Sequence, residues 1–221
     1  MTTARTALEV ADWRRRVFAL YAEARALSRT DPAAAHAHWT AERNDLFATH
    51  PATPLLPEDR GAFAGLPVTP YDPAWRLDVT IEPTIEPTIE PTKPHRMDVE
   101  TGTDGVVPFD LIGTVAIPEP GTGRSGTLDV WRLASYGGGI FIPVKDALAG
   151  AHSGTYGGGR YLIDTIKGAD LGPGTTPDSL VLDFNFAYNP SCAYDPAWAC
   201  PLAQAGNTLA FAVPVGERYP G

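Results

Sequence analysis

The residues best suited to chemistry lie in the last third of the chain. The stretch SLVLDFNFAY, residues 179–188, reads as an extended strand, along which side chains alternate between two faces. Leu182, Phe184, Phe186 and Tyr188 then share a core face, and Val181, Asp183, Asn185 and Ala187 share the other. A carboxylate and an amide among small residues suit solvent or the lining of a polar cavity. In GGGRYLID, residues 157–164, Arg160 shares a face with Leu162 and Asp164. If the two strands are neighbours, Arg160 meets Asp183. Such a pair is either an ordinary cross-strand ion pair or part of a polar pocket. In a pocket, the guanidinium would grip a carboxylate or phosphate through two donors. Tyr156, Tyr188 and Asn189 border these stretches and complete the candidate ligand contacts with Arg160, Asp183 and Asn185.

Two other features carry reactive side chains. NPSCAYDPAWACP, residues 189–201, holds both cysteines of the chain, Cys192 and Cys200, with seven residues between them. That spacing is neither a CxxC redox motif nor a zinc-knuckle spacing. A structural zinc needs four ligands, so no metal and no cofactor are expected. A nucleophilic cysteine needs a neighbouring base, and no Cys/His pair at a recognisable spacing is present. Buried thiols or a local disulfide remain. Asn189-Pro190 and Asp195-Pro196 initiate turns, and Asn189, Ser191 and Asp195 can bond the local backbone. The segment therefore reads as a compact loop at the end of a core strand. His50 opens HPATPL. It reads as a cap on the carbonyls of a helix end or, in a hydrolase, as a general base. No GxSxG nucleophile elbow accompanies it.

These residues must be positioned by a chain that changes character near residue 60. Before that point the pattern is helical. Val10, Trp13, Val17, Leu20, Ala24 and Leu27 recur at three- and four-residue steps, predicting an amphipathic helix over 6–29. Asp31 is a good N-cap and Pro32 suits the first helical position. A second helix follows to about Ala48, with His36, Trp39, Arg43, Leu46 and Phe47 on one side, until the prolines of HPATPLLP stop it. Beyond residue 60, turn residues recur about every ten positions. The strand candidates are WRLDVTIE, HRMDVET, PFDLIGTVAI, TLDVWRLA, IFIPV, RYLIDT, SLVLDFNFAY and TLAFAVPV. The expected fold is α+β: an N-terminal helical hairpin (1–55) packed on an antiparallel β-sandwich or partly open β-barrel (56–221).

Two repeats stand out. IEPTIEPTIEPT, residues 81–92, places proline at every fourth position, which breaks helices and central strands alike. It reads as an expanded loop or edge ribbon. SYGGGIFI (135–142) resembles TYGGGRYL (155–162). Consecutive glycines can present backbone N–H groups to an anion. No helix N-terminus follows either tract, so both read as glycine-rich hairpin turns.

Composition limits the partners. The 221 residues carry a net charge of −9. Residues 1–60 hold eight basic and eight acidic side chains, so the negative charge belongs to the remainder. An acidic body argues against nucleic acid and against an anionic membrane surface. The first residues, MTTARTALEVADWRRR, lack the apolar segment of a secretory signal, and no apolar run reaches transmembrane length. A cytoplasmic location is expected.

The blocks FIPVKDALAG, TYGGGRYL and LDFNFAYNPSCAYDPAWACPL, with HPATPL and FAGLPVTPYDPAWRL upstream, resemble the bacterial domain-of-unknown-function 1684 family. The resemblance spans roughly residues 40–215. It marks Tyr156, Gly157 to Gly159, Arg160, Tyr161, Asp183, Phe184, Asn185, Tyr188, Asn189, Pro190, Cys192, Cys200 and Pro201. It implies a shared fold and the importance of that block, and no reaction. The chain departs from the pattern after CPL, where AQAGN replaces a proline-rich run ending in EN, and at the IEPT expansion. Three functions follow as expectations. The leading one is binding of a small molecule, anions included, near Arg160, Asp183 and Asn185. The second is a hydrolase with Asp183 or His50 as general base and Arg160 steadying an anionic intermediate. The third is a non-catalytic scaffold or interaction protein.

Overall fold

A computed structural model describes residues 3–84, 95–101 and 105–219. Helix α1 (Ala4–Leu27) starts at Thr3, whose side chain accepts from the Thr6 amide. Leu20, Tyr21 and Ala24 are buried and Trp13 and Val17 half-buried along one stripe, while Leu27 is exposed. Helix α2 (Pro32–Thr49) is capped by Asp31, whose carboxylate accepts from the Ala34 amide at 2.9 Å, with Pro32 at its first position. His36, Trp39, Arg43, Leu46 and Phe47 are all buried, as their spacing predicts. The hairpin does not close a core of its own: Leu20, Ala24, Trp39 and Leu46 pack with Ala169, Leu171 and Phe186.

The rest of the described chain is built on antiparallel strands, joined by loops and short 3-10 turns. The larger sheet runs β2 (Glu82–Pro83), β4 (Gly105–Pro118), β5 (Ser125–Leu133), β6 (Ile140–Val144), β7 (Arg160–Asp164), with β3 (Arg96–Thr101) also on β4. The smaller pairs β1 (Arg76–Thr80) with β8 (Ser179–Asp183). Val115, Ile117, Leu128, Val130, Ile142 and Val144 of the larger sheet meet Val79 and Leu182 of the smaller across one apolar core. The fold is α+β, and the sheets do not close into a barrel. Long β-branched runs with a bulge between Leu111 and Gly113 let β4 bend around this core. Gly113 also admits a close crossing, since a Cβ there would stand 2.5 Å from the Glu82 carbonyl oxygen.

Two readings of the sequence change. SLVLDFNFAY is not one strand. It ends at Asp183, whose Oδ1 accepts from the Asn185 amide at 3.0 Å and so caps a 3-10 turn over Phe184–Phe186. The turn sends Phe184 into the inter-sheet core and Phe186 into the helical layer. TLAFAVPV is not a regular strand either. It is an extended strap tied to Lys145 and Ala147 by backbone bonds, with Leu209, Phe211, Val213 and Val215 buried. Its later carbonyls go to an arginine instead of a neighbouring strand. Of the IEPT repeat, Glu82–Pro83 forms an edge ribbon against Gly113 and Thr114; residues 85–92 lie outside the described residues.

His36 ties the helical layer to the Phe184–Phe186 turn. Its Nε2–H donates to the Asn185 carbonyl at 3.1 Å, among the rings of Trp39, Tyr71 and Phe186. Burial lowers its pKa below the ordinary 6.5, and the Asn185 carbonyl only partly opposes this. The unfolded chain therefore takes up the proton first as the solution is acidified. His36 thus contributes stability that is present above its unfolded pKa and lost as pH falls below it. Denaturant unfolding at pH 7 and pH 5 should show a smaller loss for His36→Gln, which keeps the donor, than for the wild type.

Candidate functional site

The expected Arg160–Asp183 pair is not formed, because β7 pairs with β6 and β8 pairs with β1. Each charge has another partner. In the β1–β8 register Asp183 stands opposite Arg76, whose guanidinium reaches Asp183 Oδ2 at 3.1 Å. Tyr71 approaches the same oxygen at 3.5 Å. Asp183 Oδ1 accepts from both the amide and the side chain of Asn185. Burial raises the Asp183 pKa, and the Asn185 and Arg76 bonds oppose that rise. Asn185, fully buried, accepts from the Asp72 amide and donates to the Asp72 carbonyl, both at 2.8 Å. This cluster cross-links the approach to β1 with the end of β8. The Asp183 carboxylate and the Asn185 amide are engaged within the protein.

Arg160 belongs to a second cluster. Gly159, at φ +88, takes the left-handed turn that feeds it into β7. The guanidinium is wholly buried. Nη2 donates to Asp146 at 2.7 Å and to the Val213 carbonyl at 3.1 Å, and Nη1 donates to the carbonyls of Val215 and Glu217. Asp146 is held in turn by the Leu148 amide and Thr155. Arg160 thereby pins the strap, and the strap delivers Glu217, also fully buried. Arg43 meets that carboxylate at 2.9 Å, while the amide and side chain of Asn189 and the hydroxyl of Tyr194 donate to it. Burial pushes the Glu217 pKa up, with Arg43 and Asn189 opposing. The Arg43 guanidinium lies about 5 Å from the ring centres of Trp39, Phe47 and Tyr188. Tyr188 also exchanges backbone bonds with Tyr161, closing the free edge of β7.

His50 does cap α2, through its amide to the Leu46 carbonyl. Its ring is buried and both nitrogens are engaged. Nδ1 accepts from the Ala52 amide at 3.0 Å, and Nε2–H points to Asp12 at 3.2 Å. Its lone pair is taken by the Ala52 amide, and its carboxylate partner is Asp12. Tyr156, half-buried, reaches the Cys192 carbonyl at 3.4 Å and its sulfur at 3.8 Å. Among the described residues no group of three or more His, Cys, Asp or Glu side chains is arranged to hold a metal. No helix of the described residues is long and apolar enough to cross a membrane.

A further opening of the fold lies elsewhere. A cleft of about 690 Å³ separates the margins of the two sheets, lined by Ile81 and Leu180 from one side and Ile140 and Ile163 from the other. Sequence reading missed this cleft. It also missed Asp146, Arg76 and Glu217 as partners. Asp146 stood inside a family block, and Arg43 showed itself as a charge on an otherwise apolar helical stripe. Glu217 left no local signal.

An α+β protein with two antiparallel sheets under a helical hairpin, its strongest charges turned inward as locks, is what this geometry defines. The chain belongs to the family described as Protein of unknown function (DUF1684), whose model matches residues 61–218. It is similar to a structure solved by solution NMR, the uncharacterized protein from gene locus rrnAC0354 of Haloarcula marismortui. The two are 33% identical, with 81% of this chain and 89% of that chain covered and a TM-score of 0.55. No curated protein matches the chain.

The locks have measurable weight. Arg160→Met strands Asp146 and three strap carbonyls in the interior and should cost about 3–5 kcal/mol by denaturant unfolding. Asn185→Ala leaves the Asp72 backbone groups without their side-chain partners and should cost about 2–3 kcal/mol.

Proposed function

We propose that the protein binds a small amphipathic molecule in the cleft between its two sheets and performs no acid–base chemistry on it. The observation that carries this reading is the unfinished core margin. Ile81, Ile140 and Leu180 pack against the inter-sheet core yet remain half-buried, facing the opening. A volume of about 690 Å³ lies within the usual range for small-molecule sites, which are concave, mostly apolar and edged by a few polar groups. Exposed Glu82 and Asp178 edge this one. Asp170 lines it too and is paired with Arg25 at 3.2 Å. An acidic rim favours neutral or cationic ligands. That departs from the anion expected of Arg160, whose donors are turned to Asp146 and the strap. Catalysis has less support, because the proposed bases Asp183 and His50 have their lone pairs engaged.

Thermal-shift measurements against a library sorted by charge test this. Neutral or cationic amphipathic compounds at about a hundred times Kd should raise Tm by about 5 °C or more. Ile81→Glu, which puts a charge on the apolar floor, should abolish the shift. A library whose only stabilising members are anions, or hits that survive Ile81→Glu, would overturn the proposal.

A further inference from the structure

The two ends of the cleft differ, and the difference comes from the helical hairpin. Three carboxylates line the opening, Glu82, Asp170 and Asp178, and none of its lining residues is basic. Glu82 and Asp178 stand at one end, where the Ile81 amide bonds the Asp178 carbonyl at 2.9 Å. Both side chains are exposed, and among the described residues no ion pair or hydrogen bond engages either carboxylate. Asp170 stands toward the other end, two residues before Gly172, whose carbonyl accepts from the Val181 amide at 3.2 Å. From Asp178 to Val181 the chain advances three residues, a span of about 10 Å. The charge of Asp170 is met from behind. Ala169 and Leu171 turn into the helical layer, which leaves Asp170 and Gly172 on the cleft. Arg25, in the last turn of α1, reaches this segment from the helical side. Its Nη1 donates to Asp170 Oδ2 at 3.2 Å and to the carbonyls of Asp170 and Gly168 at 3.0 and 3.4 Å. Asp170 Oδ1 accepts from the Gly172 amide at 2.9 Å. The arginine stem runs over Gly172, where a Cβ would stand 3.5 Å from its Cδ. Phe18 lies so close on Gly168 that no side chain fits between them.

Resting on ligand binding in this cleft, we propose that Arg25 sets its specificity. By neutralising Asp170 it leaves a single cation-binding end, at Glu82 and Asp178. The cleft thus selects amphipathic monoamines over diamines charged at both ends. The ammonium sits against Glu82 and Asp178, and the hydrocarbon runs along Ile81, Leu180 and Ile163 toward Asp170. A second ammonium at the far end of the hydrocarbon would be placed beside Asp170. There it would meet a carboxylate already neutralised and a guanidinium of its own sign. Attraction to Glu82 and Asp178 is moderate, because both are in contact with water, and it is screened by salt. The apolar floor supplies the remaining affinity. Arg25 does not line the opening, so it acts on the ligand only through Asp170 and is a positioning residue. The choice of ligand is thereby written partly in α1, an element that does not itself form the cleft.

The test is calorimetric titration of the full chain with octylamine and with the corresponding terminal diamine at low salt. The wild type should bind the monoamine more tightly. Arg25→Met keeps an apolar stem over Gly172 and releases the Asp170 charge, and it should shift the preference toward the diamine by about fivefold or more. Adding Asp170→Asn to Arg25→Met should return the preference to that of the wild type, and the shift should shrink in about 1 M salt. Loss of a merely structural contact would weaken both amines alike and would not be reversed by the second substitution. The same preference in the wild type and in Arg25→Met overturns the role of Arg25 and leaves the cleft as a ligand site. Failure of the wild type to bind either amine also overturns the proposed specificity, and binding that survives Ile81→Glu overturns the cleft as the site as well.

Discussion

Arg160 is an arginine without water, and the arrangement of the molecule depends on how its charge is met. Moving a guanidinium out of solvent is costly unless a counter-charge and hydrogen bonds replace the water. Here Asp146 supplies the charge at 2.7 Å, and the carbonyls of Val213, Val215 and Glu217 accept from the other terminal N–H groups. Those carbonyls belong to a strap with no strand partner of its own at that point. The strap in turn seals the inter-sheet core with Val213 and Val215 and places the Glu217 carboxylate before Arg43 of α2. Sheet, strap, helical hairpin and cysteine loop are thus linked through two buried guanidinium groups.

A pair buried this deeply adds little net stability by itself. Such pairs, replaced as a unit by well-packed apolar residues, often leave stability unchanged or improved. Their effect is felt in the alternatives. Any register of the strap that misplaces the three carbonyls leaves a cation stranded in an apolar interior. The same holds for Asn185, whose amide matches both the donor and the acceptor of Asp72. The buried partners of Arg160 and Asn185 therefore favour one closure of the fold over its alternatives. The cleft margin at Ile81, Ile140 and Leu180, where we propose a ligand, is built from ordinary hydrophobic residues.

This explains which parts of the molecule were legible in the sequence. The helical hairpin, its Asp31 cap and the buried face of α2 could be read because each is local: spacing and one capping residue determine them. Most strands could be read for the same reason. The candidate site could not. Alternation assigns faces within a strand and says nothing of which strand lies beside it, so Arg160 and Asp183 were brought together on paper and separated by topology. Asp183 also misled locally, since its carboxylate ends the strand by capping the following turn, a competition with the ladder that Asp and Asn commonly offer. Glu217 and Asp146 lie 71 residues apart and meet Arg160 from both sides in sequence. No local pattern records such a meeting.

Strand β7 is where these features converge. Within five residues, Arg160 holds the strap, Tyr161 bonds Pro201 at the end of the cysteine loop and Ile163 lines the cleft. Proximity of this kind is not coupling. For one site to bias the other, the element between them must have two arrangements of comparable energy, and each site must discriminate between them. β7 is fixed along one edge by β6, along the other by the paired backbones of Tyr161 and Tyr188, and at its start by four donors of one guanidinium. Sliding it by one residue would strand Arg160 and move Tyr161 from Pro201. Held at these points, the strand resists the displacement that coupling between the loop at Pro201 and the cleft at Ile163 would require.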